Sequence, residues 1–161
     1  MSVFKTQFSR ALAVIPTDNA LVPFPAVVGS GTNTSAVANQ LVNSAGNFVA
    51  LNVATGDVVY NLTDSTAATV VSVTSATVVV LNADIFLASG KSYTIFQMSP
   101  QTSNGNTGCN LFVGGAGAVK VLTLGQDTIT FSGVPIGTTL PIQVVKVFAT
   151  GTTATLINAL W

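Results

Sequence analysis

Residues 56–96 read GDVVYNLTDSTAATVVSVTSATVVVLNADIFLASGKSYTIF. Taken in twos, apolar or β-branched residues alternate with small polar ones, the pattern of a strand with one buried face. Val58 and Tyr60 fall on one face of a first strand, and Val71 and Val73 on one face of a second. A corner at Thr74-Ser75 leads into a third strand at 77–81, and the turn Ser89-Gly90 into a fourth at 93–96. The pattern predicts an antiparallel meander of these strands in chain order. No apolar stripe of helical period is long enough to compete with it.

The composition agrees. Of 161 residues, 48% are apolar and only 6% are charged, against about 25% charged in ordinary soluble domains. All five acids are aspartates, and neither Glu nor His occurs. Abundant Thr, Val, Ser and Gly with little Lys and no Glu is a strand composition, because β-branched side chains suit a pleated sheet and long charged ones a helix. A chain of this length folds as one domain or two small ones and buries roughly 70% of its unfolded surface. With a net charge of zero, such a chain is poorly protected against association, so much of its surface is expected to meet partners.

Upstream, residues 1–38 are broken by Pro16, Pro23 and Pro25, which rule out a central strand there. They are nevertheless rich in apolar residues: Phe4, Phe8, Val14, Ile15, Leu21, Val22, Phe24, Val27 and Val28. We read this segment as an extended arm that gains order by lying on a neighbouring subunit or on its own domain. Ser35 is a plausible N-cap for a short helical turn over 35–42, with Val37 and Leu41 spaced four apart. Gly56-Asp57 suits a tight turn that aims the strand after it.

Downstream, residues 99–108 form a turn-rich linker around Pro100. Beyond it, strands are expected at 110–113, 118–124, 127–131, 142–149 and 153–160. Gly125-Gln126 reads as a type II′ hairpin turn, and 133–141, with two prolines, as a loop. The organisation expected is therefore all-β: an extended N-terminal arm over 1–38, a small antiparallel β-barrel or sandwich over 39–98, the linker, and a second β unit over 109–161. These strands carry few of the lysines and prolines that normally guard sheet edges, so closure or partners should cover them. Trp161, an aromatic end residue, needs something to pack on.

Chemistry is largely excluded. General acid–base catalysis needs a group titrating near the working pH or a carboxylate pair, and Asp18, Asp57, Asp64, Asp84 and Asp127 are dispersed in or beside turns. Asp57, Asn61 and Asp64 do not have the spacing of a calcium loop. Cys109 has no histidine to activate it and cannot form an intrachain disulfide. The run Gly114-Gly115-Ala116-Gly117 lacks the lysine and helix of a phosphate loop. Neither enzyme activity, nor a cofactor, nor a metal is expected. Scattered Lys and Arg make no phosphate-tracking stripe, so no nucleic-acid partner is expected. No apolar run reaches the ~18 residues of a membrane helix, and the five apolar residues before Pro16 are too few for a signal-peptide core. The glycosylation sequons at Asn33 and Asn61 are attributed to chance.

Several passages carry a family resemblance. Gly56-Asp57-Val58-Val59-Tyr60-Asn61, Ala68-Thr69-Val70, Ala83-Asp84-Ile85-Phe86 and Ser92-Tyr93-Thr94-Ile95, preceded by 39–44 and 47–49, resemble a module of virion structural proteins of tailed bacteriophages. Leu111-Phe112-Val113-Gly114-Gly115, Val119-Lys120-Val121, the loop 135–141 and 147–154 resemble the C-terminal part of small particle proteins, especially from phages of aquatic bacteria. The resemblance implies a capsid decoration (cement) protein on the virion surface, a homo-oligomer and typically a trimer, whose partner is the major capsid protein. Tail, neck or spike-base components, and a receptor- or glycan-binding module, are the alternatives. Under the decoration reading, the contact residues expected are Phe4, Phe8, Leu21, Val22, Phe24, Val27, Val28 and Trp161.

Overall fold

The computed structural model describes residues 8–98, 101–102, 105–106 and 108–161. Among them there is no helix, and the strands assemble into two large antiparallel sheets. Seven strands build the first sheet: β2 (Val27–Thr32), β3 (Ser35–Val37), β4 (Gln40–Val42), β5 (Val58–Asn61), β6 (Thr66–Ser75), β7 (Val78–Leu81) and β8 (Ser92–Phe96). Their spatial order is β2-β8-β5-β6-β7-β4-β3. The second sheet is formed by β1 (Ala11–Ala13), β11 (Cys109–Gly115), β12 (Gly117–Thr123), β13 (Thr128–Val134), β14 (Thr138–Val147) and β15 (Thr155–Leu160). Its order is β1-β15-β11-β14-β12-β13. Between the sheets in sequence, β9 (Gln101–Thr102) and β10 (Gly105–Asn106) pair as a short ladder inside the segment expected to be a linker. Neither large sheet closes on itself.

The expected meander is corrected in its last step. β5, β6 and β7 follow one another, but β8 returns across the sheet to pair with β5, Val59 opposite Ile95. The resulting order, β8-β5-β6-β7, is a Greek key. Consequently β5 is central, and all four of its residues are buried. Its alternation is therefore apolar on both sides rather than in and out. Val59 points into the first core with Leu41, Phe48, Val70, Val79, Phe86 and Ile95. Val58 and Tyr60 point the other way, into a smaller cluster with Ala20, Ala67 and Phe96 against which Leu12 and Ile15 pack.

Local expectations change where turn chemistry decides. Residues 35–42 form the hairpin β3–β4 instead of a helical turn, with Asn39 in the left-handed region at φ 57°, a conformation Asn tolerates better than most residues. The β12–β13 turn places its positive φ on Gln126 (71°) and not on the first loop residue, so it is not type II′. The loop expected over 133–141 is shorter: β14 already begins at Thr138 and carries Pro141 within a register shift between Leu111↔Leu140 and Cys109↔Val144. A bulge is where a strand accepts a proline.

The glycines at 114–117 serve close packing. A Cβ on Gly114 would lie 2.8 Å from the Leu156 carbonyl oxygen, and one on Gly117 would run into the Ala154 backbone. Larger residues would force β11 away from β15 and β12 away from the segment leading into it.

The N-terminal segment is not a free arm from Ser9 onward. Ser9 and Arg10 donate to the Trp161 carbonyl, β1 pairs with β15, and Val14 donates to Ile157. Thr17 and Val22 then donate to Val147 and Val145 of β14. Past Pro23 the chain changes sheets: Phe24 donates to Gln97, and β2 pairs with β8. The segment expected to form one unit over 1–38 is therefore divided between the two sheets and passes through the seam that joins them.

Candidate interaction surface

The seam is held by polar contacts that leave little free chemistry. The Thr17 hydroxyl donates to the Ala67 carbonyl at 3.0 Å, and the Thr69 hydroxyl and the Asn82 amide both donate to the Asn19 carbonyl, at 3.1 and 2.6 Å. On the opposite side Lys146 Nζ donates to the Asp18 carbonyl at 2.6 Å. The Asp18 carboxylate accepts from the Thr150 hydroxyl at 2.6 Å. That hydrogen bond, more than the nearby Lys146 charge, holds the Asp18 carboxyl below the usual carboxylate range.

Four further titratable groups, Asp57, Asp64, Cys109 and Tyr60, are similarly occupied. Asp57 is buried and accepts from the backbone amides of Ala54 (2.9 Å) and Met98 (3.0 Å), tying the turn before β5 to the chain beyond β8. Asp64 accepts from Lys91 Nζ and the Asn61 amide, each at 2.9 Å, and both contacts lower its pKa. Asp57 and Asp64 thus face separate protein donors. Among the described residues no group of three or more Cys, Asp, Glu or His side chains is gathered as a metal site. Burial pushes the Cys109 thiol up to about 12, and its sulfur donates to the Val144 carbonyl. Desolvation likewise raises Tyr60 against a hydrogen bond with the Ile15 backbone.

The residues expected at an interface separate into two groups. Val22 is 5% exposed and packs in the core of the second sheet with Leu111, Val121 and Val144. Enclosed there, it packs mainly on its own chain. Phe24 stands edge-on to Trp161, with ring centroids 5.8 Å apart, and the Arg10 guanidinium lies 5.0 Å over the Phe24 ring. Val28 packs on the core of the first sheet. Val22, Phe24, Val28 and Trp161 hold the crossing segment on its own chain. Phe8, Leu21 and Val27 remain exposed. Phe4 lies outside the described residues.

Two surface features were not legible as sites in the sequence. Leu21, Val22, Pro23, Gly56, Val58, Thr69 and Met98 line an apolar cleft of about 110 Å³ where the crossing segment passes the first sheet. At one end of the second sheet, Ile136 and Leu156 are 71% and 75% exposed, and Leu156 adopts φ 52°. The charged residues lie elsewhere: Lys120 and Lys146 each sit over the Phe148 ring, at 5.2 and 5.0 Å.

No family model, curated protein or solved structure matches the chain.

Proposed function

We propose that the protein is a structural component of a bacteriophage particle, specifically a decoration (cement) protein that stabilises the head shell by binding the major capsid protein and copies of itself. One observation carries the assembly half of this reading: large apolar side chains remain exposed across an all-β surface whose chain is only 6% charged. Leu87, Leu156, Ile136, Val27 and Val49 are each more than 60% exposed. A lone soluble domain covers such surface with charge, whereas a particle component covers it with neighbours. The family resemblance of residues 39–98 and 109–161 supplies the phage context.

Phe8, Leu21 and Val27 are the contact residues of this reading. Val22, Phe24, Val28 and Trp161 act behind them by fixing the segment that carries them. Co-sedimentation with assembled shells of the major capsid protein from the same phage tests it. Saturable binding that raises the melting temperature of the shell is the expected result. Absence of shell binding together with saturable adsorption to host cells would replace it with a receptor-binding role.

A further inference from the structure

The free edge of the second sheet is β13. It pairs with β12 alone, in the register Val119↔Phe131, Lys120↔Thr130 and Val121↔Ile129. The Lys120 amide donates to the Thr152 hydroxyl at 3.0 Å, and the Lys120 carbonyl accepts from Phe148 at 2.9 Å, so both backbone groups of Lys120 face away from β13. Opposed residues of an antiparallel pair exchange both hydrogen bonds or neither. The N–H and C=O of Thr130 therefore point outward from the edge.

The other sheet ends are blunted. β1 and β3 have three residues each. β2 follows Pro23 and Pro25 and has a register shift between Val27 and Gly29. Short strands, prolines and bulges are the usual protection against edge pairing. β13 has no charged residue and no proline between Thr128 and Val134, and its one register shift lies past Phe131, at Ser132–Gly133, leaving Thr128–Phe131 regular. Its core-facing side is also unfinished. Ile129 and Phe131 share a face with Val121 and Val119, which are fully buried, yet Ile129 is 45% exposed and Phe131 only partly covered.

We infer that β13 pairs with β13 of a second copy of this chain, antiparallel about a two-fold axis at Thr130. The strand is complementary to itself in this register. A two-fold perpendicular to the sheet keeps each side chain on its own face, so Ile129 of one copy lies opposite Phe131 of the other, twice, extending the half-covered core across the junction. Thr130 faces Thr130, and their outward N–H and C=O groups close a reciprocal pair of hydrogen bonds. Thr128 faces Ser132, and no like charges meet. Gly133, at φ 63°, and Pro135 end the pairing on one side, and the turn at Gly125-Gln126 ends it on the other, which leaves a single register. This contact does not depend on the capsid reading.

The test places charges at the axis. Thr130 is exposed and its backbone makes no bond to β12, so Thr130→Lys and Thr130→Asp should keep the wild-type circular dichroism and melting temperature. Sedimentation equilibrium should show a reversible wild-type dimer, each variant alone weakened about fivefold or more, and an equimolar mixture of the two restored. Thr130→Pro, which removes the central donor, should also be monomeric. A wild type that stays monomeric up to its solubility limit would overturn the inference. So would an assembly of any size that is indifferent to charge at position 130, or a mixture that restores nothing.

Discussion

Replacing Val22 by alanine tests whether the N-terminal segment belongs to its own chain. Val22 is 5% exposed among Leu111, Val121 and Val144, and its amide donates to the Val145 carbonyl at 2.9 Å. Truncation removes two buried methyl groups, about 1.6 kcal/mol at ~0.8 kcal/mol per buried carbon. The unfilled space raises this to roughly 2–3 kcal/mol. For a chain of this size, each kcal/mol lowers the melting temperature by about 2–4 °C. The assay is urea denaturation followed by far-UV circular dichroism and by fluorescence of Trp161, the sole tryptophan, which packs against Phe24 at the same crossing. Val27→Ala is the internal control, because Val27 is 62% exposed, and it should cost less than ~0.5 kcal/mol. The loss at Val22 should also be independent of protein concentration. Equal effects at the two positions, or a difference between the Val22→Ala and wild-type midpoints that changes on dilution, would refute the placement. The second result would mean that the segment is exchanged between copies.

Other consequences follow from single contacts. Asp57→Ala leaves the half-buried amides of Ala54 and Met98 without their acceptor and should cost about 1–3 kcal/mol by urea midpoint. A cost below ~0.5 kcal/mol would show that water replaces the carboxylate. Cys109, with its thiol pushed up to about 12 by burial, should resist a disulfide-exchange reagent at pH ~8 until the protein unfolds. Stoichiometric labelling of the native protein would contradict that burial. Asp18 has a folded pKa held below its unfolded value by Thr150. Its contribution is therefore complete above the ordinary carboxylate range and is lost as pH falls through the lower folded value. Asp18→Asn should flatten the acid side of a melting-temperature profile between about pH 2 and 6, and an unchanged profile would show that the Thr150 contact adds no stability.

Much of the architecture was readable because strand patterning is local. The alternation over 56–96, the strand pattern at 118–124, the scarcity of charge and the absence of a helical stripe all indicated sheets, and the structure contains sheets. The hairpin at Asn39 was misread as a helical turn, because Ser35, Val37 and Leu41 satisfy an N-cap and a four-residue spacing as readily as a strand. The run Val58-Val59-Tyr60 held a signal that was passed over: consecutive apolar residues indicate a strand covered on both faces. The exposed edge at β13 was not legible at all, since Thr128–Val134 reads the same whether it has one neighbour or two.

The amino-acid sequence alone determined the all-β class and the approximate strand positions, since each follows from side-chain type and period-two spacing. Only the tertiary structure decided that β8 lies beside β5, that residues 9–32 are shared between two sheets, and that Val22 is core while Val27 is surface. Backbone hydrogen bonding is the physical reason: any strand offers the same N–H and C=O groups to any neighbour, so pairing is selected by which apolar faces can be buried together once the whole chain is in place.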